Sequence, residues 1–308
     1  MIMNKKNILG VDITNATREE VLEYIVKNLE NFKKKLFIVT PNPEFLVLAD
    51  RNNSFKKVLS KADLALADGI GLLIAGQILG RSLKERFTGV DLVKSLCEKV
   101  SEKPITVGFL GGRDGVAEKT AECLRKNHPG LKVVFAGEEW LNDLLGHLPR
   151  IANDVRKANS QTMSRSSSLS ERLPTTKPQS AFSSSAIGQV PSLQSSENRL
   201  PRSSHLSSAI RNTPIDILFV AFGCPKQEFW ISENLEKIPV KVAVGVGGAF
   251  DYISGGIPRA PKFVRAIGFE WLFRLAVQPW RIKRQLALAE FIWLVVKERW
   301  LSGSTVKT

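Results

Sequence analysis

Over its first 137 residues the chain alternates between two hydrophobic rhythms, short continuous apolar runs and longer stretches with apolar residues at helical spacing. The runs read as strands and the spaced stretches as helices. "NILGVDI" and "KLFIVTPN" predict strands, separated by "TREEVLEYIVKNLENF", an amphipathic helix that begins after Thr17. "PEFLVLADRNNSFKKVLSKA" predicts one helix, "DLALAD" a strand and "GIGLLIAGQIL" another helix. A helix over "TGVDLVKSLCEKVSE", a strand "ITVGFLGG", a helix "RDGVAEKTAECLRKNH" and a strand "LKVVFAG" complete this half. The rhythm resumes at residue 214 with strand "PIDILFVAFG", helix "CPKQEFWISENLEKI" and strand "KVAVGVGGAF". From Pro258 the chain turns aromatic, basic and helical as far as Trp300. Strands alternating with helices of this length predict an α/β fold: a Rossmann-like, mostly parallel sheet with flanking helices and right-handed crossovers.

Residues 141–213 break the rhythm. Between Ser160 and Asn212 stand 17 serines in 53 residues, with scattered Pro and Arg. Such a composition cannot bury enough apolar surface to offset its ordering entropy, so a disordered insert is expected. Only "LNDLLGHLPRIANDVRKAN" at its start has a helical pattern. The expected organisation is an α/β domain over 1–140 and 214–257, the insert at 141–213, and a helical appendage over 258–308.

The formal charge of +14 changes the picture only once it is divided along the chain. Residues 1–140 and 214–257 hold 25 basic and 23 acidic side chains, 141–213 hold 9 and 4, and 258–308 hold 10 and 3. Half of the excess therefore lies in the last 51 residues. A basic protein suggests nucleic acid, but here the basic residues are interleaved with Trp, Phe, Leu and Ile, which suits an anionic membrane surface better. No basic groove with base-stacking aromatics appears elsewhere, so nucleic acid is the rival reading and not the expected partner. No apolar run reaches a bilayer's thickness: "LALAEFIWLVV" has eleven residues and includes Glu290. The N-terminus has no signal-peptide core. A cytoplasmic or peripheral protein is expected. Three dispersed cysteines, three histidines and the absence of any Asp-x-Asp argue against a zinc site, a disulfide framework or a metal–diphosphate device. No metal and no cofactor are expected. An oligomer is compatible with the pattern, which does not set the state.

Candidate chemistry collects where apolar runs end, because open α/β sheets bind ligands at the carboxyl ends of their strands. "LALADGIG" ends in Asp68 between glycines; the aspartate is either a ligand-facing carboxylate or a cap for the following helix. "TPNPE" places Thr40 and Asn42 at a second strand end, near Asp68 if the two strands are neighbours. "GFLGGRDG" offers Gly111 and Gly112 as a backbone anion site or a plain tight turn. "FVAFGCPKQEFW" brings Gly223, Lys226, Gln227 and Glu228 to a third strand end, as site residues or as ordinary helix-start residues. "VGVGGAFDYISG" ends a fourth strand in Gly247 and Gly248, followed by Phe250 and Asp251; the loop suits a flat ring, although turn chemistry explains its glycines as well. In "KERFTGVDL", Arg86 suits a phosphate or solvent.

The segments "VTPNPEFLVLA", "LADGIG", "RFTGVDLV", "GFLGG", "DILFVAFGCPKQE" and "VGVGGAFDYISG" together resemble, in order, the WecG/TagA/CpsF family of bacterial glycosyltransferases, over residues 7–137 and 214–298. The likeness is strongest to the branch of N-acetylmannosamine (ManNAc) transferases of wall teichoic acid linkage-unit synthesis. The resemblance implies an inverting, metal-independent transfer of ManNAc from UDP-ManNAc to the GlcNAc of undecaprenyl-diphosphate-GlcNAc, at the inner face of the cell membrane. Other members use different UDP-sugars, a ManNAc uronic acid or a glucose-type sugar, in surface polysaccharide synthesis. Asp68 matches the family's general base, which must be ionised to act, so a strongly raised pKa would count against it. Thr40 and Gln227 match positions that line the pocket, and Arg86 falls in an R-x-T-G motif. Arg274, Arg281 and Arg284 match positions expected to meet the diphosphate from a membrane-associating appendage, whose Trp271, Trp280 and Trp293 would enter the interface. The 141–213 insert departs from the family, which joins "LKVVFAG" to "DILFVAFG" by a short connection.

Overall fold

The computed structural model describes residues 3–138, 214–279 and 282–304, without the side chains of 283–285 and 302–304. The insert expected at 141–213, with its helical start, lies outside the described residues. "NILGVDI" forms two strands where one is expected. β1 (Lys5–Ile8) and β2 (Val11–Thr14) pair antiparallel about Leu9 and Gly10, whose φ of +50° and +76° make a two-residue hairpin turn. The apolar run hides this turn because Leu9 is not a residue that announces one.

α1 (Arg18–Glu30) starts as expected at Thr17. Its hydroxyl accepts from the Glu20 N–H at 3.2 Å, while the Glu20 carboxylate accepts from the Thr17 N–H at 2.7 Å. β3 (Leu36–Val39) is buried throughout. The long helix expected next is two, α2 (Pro43–Arg51) and α3 (Asn53–Ser60). Asn52 takes an extended conformation between them and caps the second, its side-chain oxygen accepting from Phe55 N–H at 3.0 Å. β4 (Leu64–Ala65), α4 (Ile70–Ile78), α5 (Gly89–Val100), β5 (Thr106–Gly111), α6 (Val116–Asn127) and β6 (Lys132–Gly137) follow. Beyond residue 213 come β7 (Ile215–Ala221), α7 (Lys226–Asn234), β8 (Val240–Gly245) and α8 (Ala249–Ile253). The appendage consists of α9 (Lys262–Ala266), α10 (Glu270–Val277) and α11 (Ile282–Ser304).

Six strands form one parallel sheet in the order β4-β3-β8-β7-β5-β6, the Rossmann-like α/β architecture expected from the alternation. Helices α1, α5, α6 and α8 pack together, as do α2, α3 and α7, so both faces of the sheet are covered. Phe109 and Phe219 stack in the core at 5.5 Å between ring centres, and Phe250 meets Phe109 edge-on at 5.7 Å. The carboxyl ends of β4, β3, β8 and β7 lie side by side, and this row carries the site. α11 packs on α2 and α4 through buried Phe291, Leu294 and Val295. Ion pairs Arg51–Glu290 and Arg81–Glu298 hold its flanks. Among the described residues no helix is long and apolar enough to cross a membrane.

Candidate active site

β4 leaves the ladder after Ala65, but the chain stays against β3. Leu66 N–H bonds to Val39 O at 2.9 Å and Asp68 N–H to Pro41 O at 2.8 Å. Asp68 is thereby held beside the Thr40–Asn42 loop. Gly69, at φ +116°, turns the chain into α4 and is its cap residue, with no side-chain capping bond. Asp68 therefore does not cap α4. Its Oδ2 accepts instead from the N–H of Gly89, at the start of α5, at 3.3 Å. Thr40 is buried and donates to Gly245 O at 3.0 Å, tying the ends of β3 and β8 together.

Asp68 is half-buried at the cavity, and burial pushes its pKa up to about 7. The Gly89 N–H pulls it down, Glu270 pushes it further up, and Arg86 partly offsets that. The fully ionised carboxylate that its expected role called for is therefore not what the site holds at neutral pH. A carboxyl of this pKa is about half ionised at pH 7, and its ionised half is a stronger base than an ordinary aspartate.

Gln227 joins the two strand ends on the other side. It is buried, and its Oε1 accepts from Gly223 N–H at 3.1 Å and from Gly247 N–H at 2.9 Å, bridging the loops that follow β7 and β8. Its Nε2 donates to Glu228 Oε1 at 2.7 Å. Glu228 is wholly buried behind the loops and does not reach the cavity. Lys226 is exposed and also outside the cavity.

A third group arrives from the appendage and has no signature in the sequence. Arg259 donates to Asp91 at 2.7 Å and to Glu270 at 3.0 Å, while Asp91 accepts from the Thr88 hydroxyl at 2.8 Å. Burial would raise the Asp91 pKa, but Arg259 and Thr88 hold it below the usual carboxylate value. Arg86 spans the same seam, donating from Nη2 to Arg265 O at 3.0 Å. Thr88 and Asp91 stand within "RFTGVDLV", yet nothing in the spacing marks their partners as Arg259 and Glu270.

Arg274 lies on the β8 side, 4.8 Å above the Tyr252 ring and 3.7 Å from Asp251, close enough to Gly248 that a Cβ there would meet its Nη2 at 2.8 Å. Arg281 and Trp280 lie outside the described residues. Arg284 is placed on α11 by its backbone, its side chain being outside them as well.

Thr40, Asn42, Asp68, Arg86, Gly223, Gln227, Gly247, Gly248 and Arg274 thus converge on one cavity of about 570 Å³. Asn42 also caps α2, accepting from Phe45 N–H at 3.1 Å. The structure does not bring the remaining candidates there. Gly111 and Gly112 end β5 against Ala221, and the nearby Gly115 N–H is taken by the Glu138 carboxylate at 2.9 Å. Phe250 is a core residue, and Asp251 stands behind Arg274. Among the described residues no cluster of His, Cys, Asp and Glu is placed to hold a metal ion.

The cavity has two chemically distinct walls. Its floor is the row of strand ends with the Asp68 carboxyl, and Glu44, Arg86, Glu270 and Arg274 also line the cavity. Its far wall is apolar: Ile74 and Ile78 of α4 face Phe291, Ile292 and Val295 of α11, with Ile267 before α10. Such a site can accept a proton near neutral pH, neutralise an anion and shelter a hydrocarbon.

The chain is similar to proteins named N-acetylglucosaminyldiphosphoundecaprenol N-acetyl-beta-D-mannosaminyltransferase. The one from Bacillus spizizenii is 28% identical over 295 residues, covering 96% of this chain and 92% of that protein. Those from Bacillus subtilis and Staphylococcus aureus are 23% and 25% identical over 296 residues, each covering 96% of this chain and 93% of the relative. The profile of the glycosyl transferase WecG/TagA/CpsF family matches residues 6–163 and 169–305, so it takes in all of 141–213 except residues 164–168, against the expectation that this stretch departs from the family. With a match over nearly the whole chain and the strand-end site inside it, the chain belongs to the WecG/TagA/CpsF family of glycosyltransferases.

Proposed function

We propose that this glycosyltransferase moves N-acetylmannosamine from UDP-ManNAc to the GlcNAc of undecaprenyl-diphosphate-GlcNAc, with inversion and without a metal, in wall teichoic acid linkage-unit synthesis. The observation that carries the reading is the pairing of a strand-end carboxyl with an apolar wall in one cavity. The first serves sugar transfer, and the second serves an acceptor that ends in a polyprenyl chain. The names of the relatives supply the sugar and the acceptor.

In this mechanism the loops at Gly223 and Gly247–Gly248 receive the UDP portion of the donor. Asp68 takes the proton from the acceptor hydroxyl as that oxygen bonds to the anomeric carbon of ManNAc. The bond from that carbon to the diphosphate breaks on the opposite face, and UDP leaves with the electron pair. Arg86 and Arg274 stand where they offset the charge that develops on the diphosphate. Thr40 and Gln227 hold the strand ends in register and act on the reaction through that geometry. In this reading the exposed aromatic and basic side chains of the appendage meet the membrane, on the inner face that the acceptor implies.

The test is a donor panel of UDP-ManNAc, UDP-ManNAc uronic acid and UDP-glucose, assayed with a polyprenyl-diphosphate-GlcNAc acceptor. Preference for UDP-ManNAc with an inverted anomeric product supports the reading. Preference for another donor assigns the enzyme to a different surface polysaccharide.

A further inference from the structure

Glu228 is the least explained group near the cavity. It has no exposed surface, its Oε2 makes no hydrogen bond, and it sits one residue behind a side chain that links both loops. Burial pushes its pKa up to about 7, with the Gln227 amide and the Cys224 thiol pulling down only in part. A buried carboxyl with an idle oxygen is unfavourable compared with an apolar side chain of that size. Its one strong contact accounts for its presence.

That contact is the 2.7 Å hydrogen bond from Gln227 Nε2 to Glu228 Oε1. An amide has a donating end and an accepting end of nearly the same shape, so packing alone does not choose its orientation. Glu228 chooses it. With Nε2 committed to the carboxyl, Oε1 faces the N–H groups of Gly223 and Gly247 and accepts from both. A turned amide would set its NH₂ against two backbone N–H groups and take the acceptor away from both. The strand end is shaped around the pair: a Cβ on Gly245 would lie 3.0 Å from Gln227 Nε2 and 3.1 Å from Glu228 Oε1. The carbonyl of the same Gly245 accepts from Thr40, so the pair backs the junction of β3, β7 and β8.

We propose that Glu228 is a positioning residue which, by accepting from the Gln227 amide, locks the glycine loops after β7 and β8 into the shape that receives the donor's UDP group. This rests on the proposed function, which places UDP at those loops. Glu228 touches neither substrate, and its effect falls on the donor side alone.

Calorimetric titration with UDP, paired with acceptor kinetics, tests this on the full chain. E228L should weaken UDP binding by about tenfold, the effect of losing one or two net hydrogen bonds, while the KM for acceptor stays within about twofold. E228Q keeps an oxygen for Nε2 and should recover most of the affinity lost in E228L. The double variant Q227L/E228L should bind UDP no worse than Q227L, because Glu228 acts only through Gln227. Wild-type UDP affinity in E228L, or losses that multiply in the double variant, would overturn the inference while leaving the proposed function standing. Failure of the wild-type protein to bind UDP would overturn both. Should E228L not fold, the wild-type protein suffices: the side-chain amide of Gln227, labelled with ¹⁵N, should exchange slowly and shift as pH passes about 7. Free exchange without that shift would refute the lock.

Discussion

Asp68 shows how a single residue acquires its character from where the chain stops. As the residue directly after the apolar run Leu64–Ala65–Leu66–Ala67 it could equally have capped a helix. The β3 edge holds its backbone and Gly69 takes the cap position, which leaves the carboxyl for the cavity. As the proposed base, its ionised form carries the activity. With a pKa pushed up to about 7, kcat/KM should rise about tenfold per pH unit below that value and level off above it. D68N should lose about 10²–10⁴ of the transfer rate, with UDP binding by calorimetry nearly unchanged, because a base acts in the transition state. Retention of activity within about tenfold would remove Asp68 from the role. The same shift has a sign in stability. The folded-state pKa lies above the ordinary 3.8, so the folded protein binds this proton more tightly than the unfolded chain. The carboxyl's contribution to stability is complete below about pH 4, is lost as pH rises toward about 7, and stays lost above. D68N should therefore melt higher than the wild-type protein at pH 8 and gain less at pH 5. An equal gain at both values would mean that the carboxyl is not held against ionisation.

Elements were readable in the sequence wherever their signal is local. The capping box at Thr17, the buried runs of β3 and β7 and the helical spacing of α5 each state their conformation within a dozen residues. Breaks inside long patterns were missed: Leu9 has little turn preference of its own, and Asn52, a good cap residue, interrupts a helical pattern that continues on both sides of it. The strand ends were readable as a set, since the parallel sheet forces their carboxyl ends to one edge, and seven of their candidates meet in one cavity with Arg86 and with Arg274, which only the family resemblance had pointed to. The Thr88–Asp91–Arg259–Glu270 network was not, because its halves are separated by 168 positions and nothing local couples them. This network joins α5 to α10, so its removal is a test at the scale of elements. Arg259 is 14% exposed and pairs with two carboxylates that are each 19% exposed. R259A should cost about 3 kcal/mol, since it leaves both carboxylates buried without their partner. It should also move the acid limb of the pH–rate profile upward, because Glu270 then acts on Asp68 uncompensated. Thermal melting and the pH profile measure the two effects separately. An R259A protein with wild-type stability and an unshifted limb would show that the network does not join the appendage to the site.

For the molecule as a whole, apolar exposure is strongly one-sided. Among the described residues, thirteen of the seventeen large apolar side chains that stand exposed come from residues 263–301. Five of them, Ile267, Phe269, Trp271, Ile292 and Val296, line the cavity, and the others are the side chains proposed to meet the membrane. The appendage also carries much of the basic excess, so the surface it suits is an anionic bilayer. Trp293, 59% exposed and outside the cavity, points to anchoring, whereas Arg274 lines the cavity beside Gly248. The two should therefore separate binding from chemistry. W293A should weaken binding to anionic liposomes and leave turnover of a soluble short-chain acceptor at the wild-type value. R274A removes one charge near the membrane, worth about 1 kcal/mol or about fivefold in liposome binding, and should reduce soluble-acceptor turnover by much more. That excess arises because the arginine acts on charge developing at the diphosphate and not on the membrane. Measuring both quantities for both variants decides the matter. If the R274A defect merely tracks its membrane binding and vanishes with the soluble acceptor, Arg274 is an anchor, and the appendage closes the cavity without taking part in the transfer.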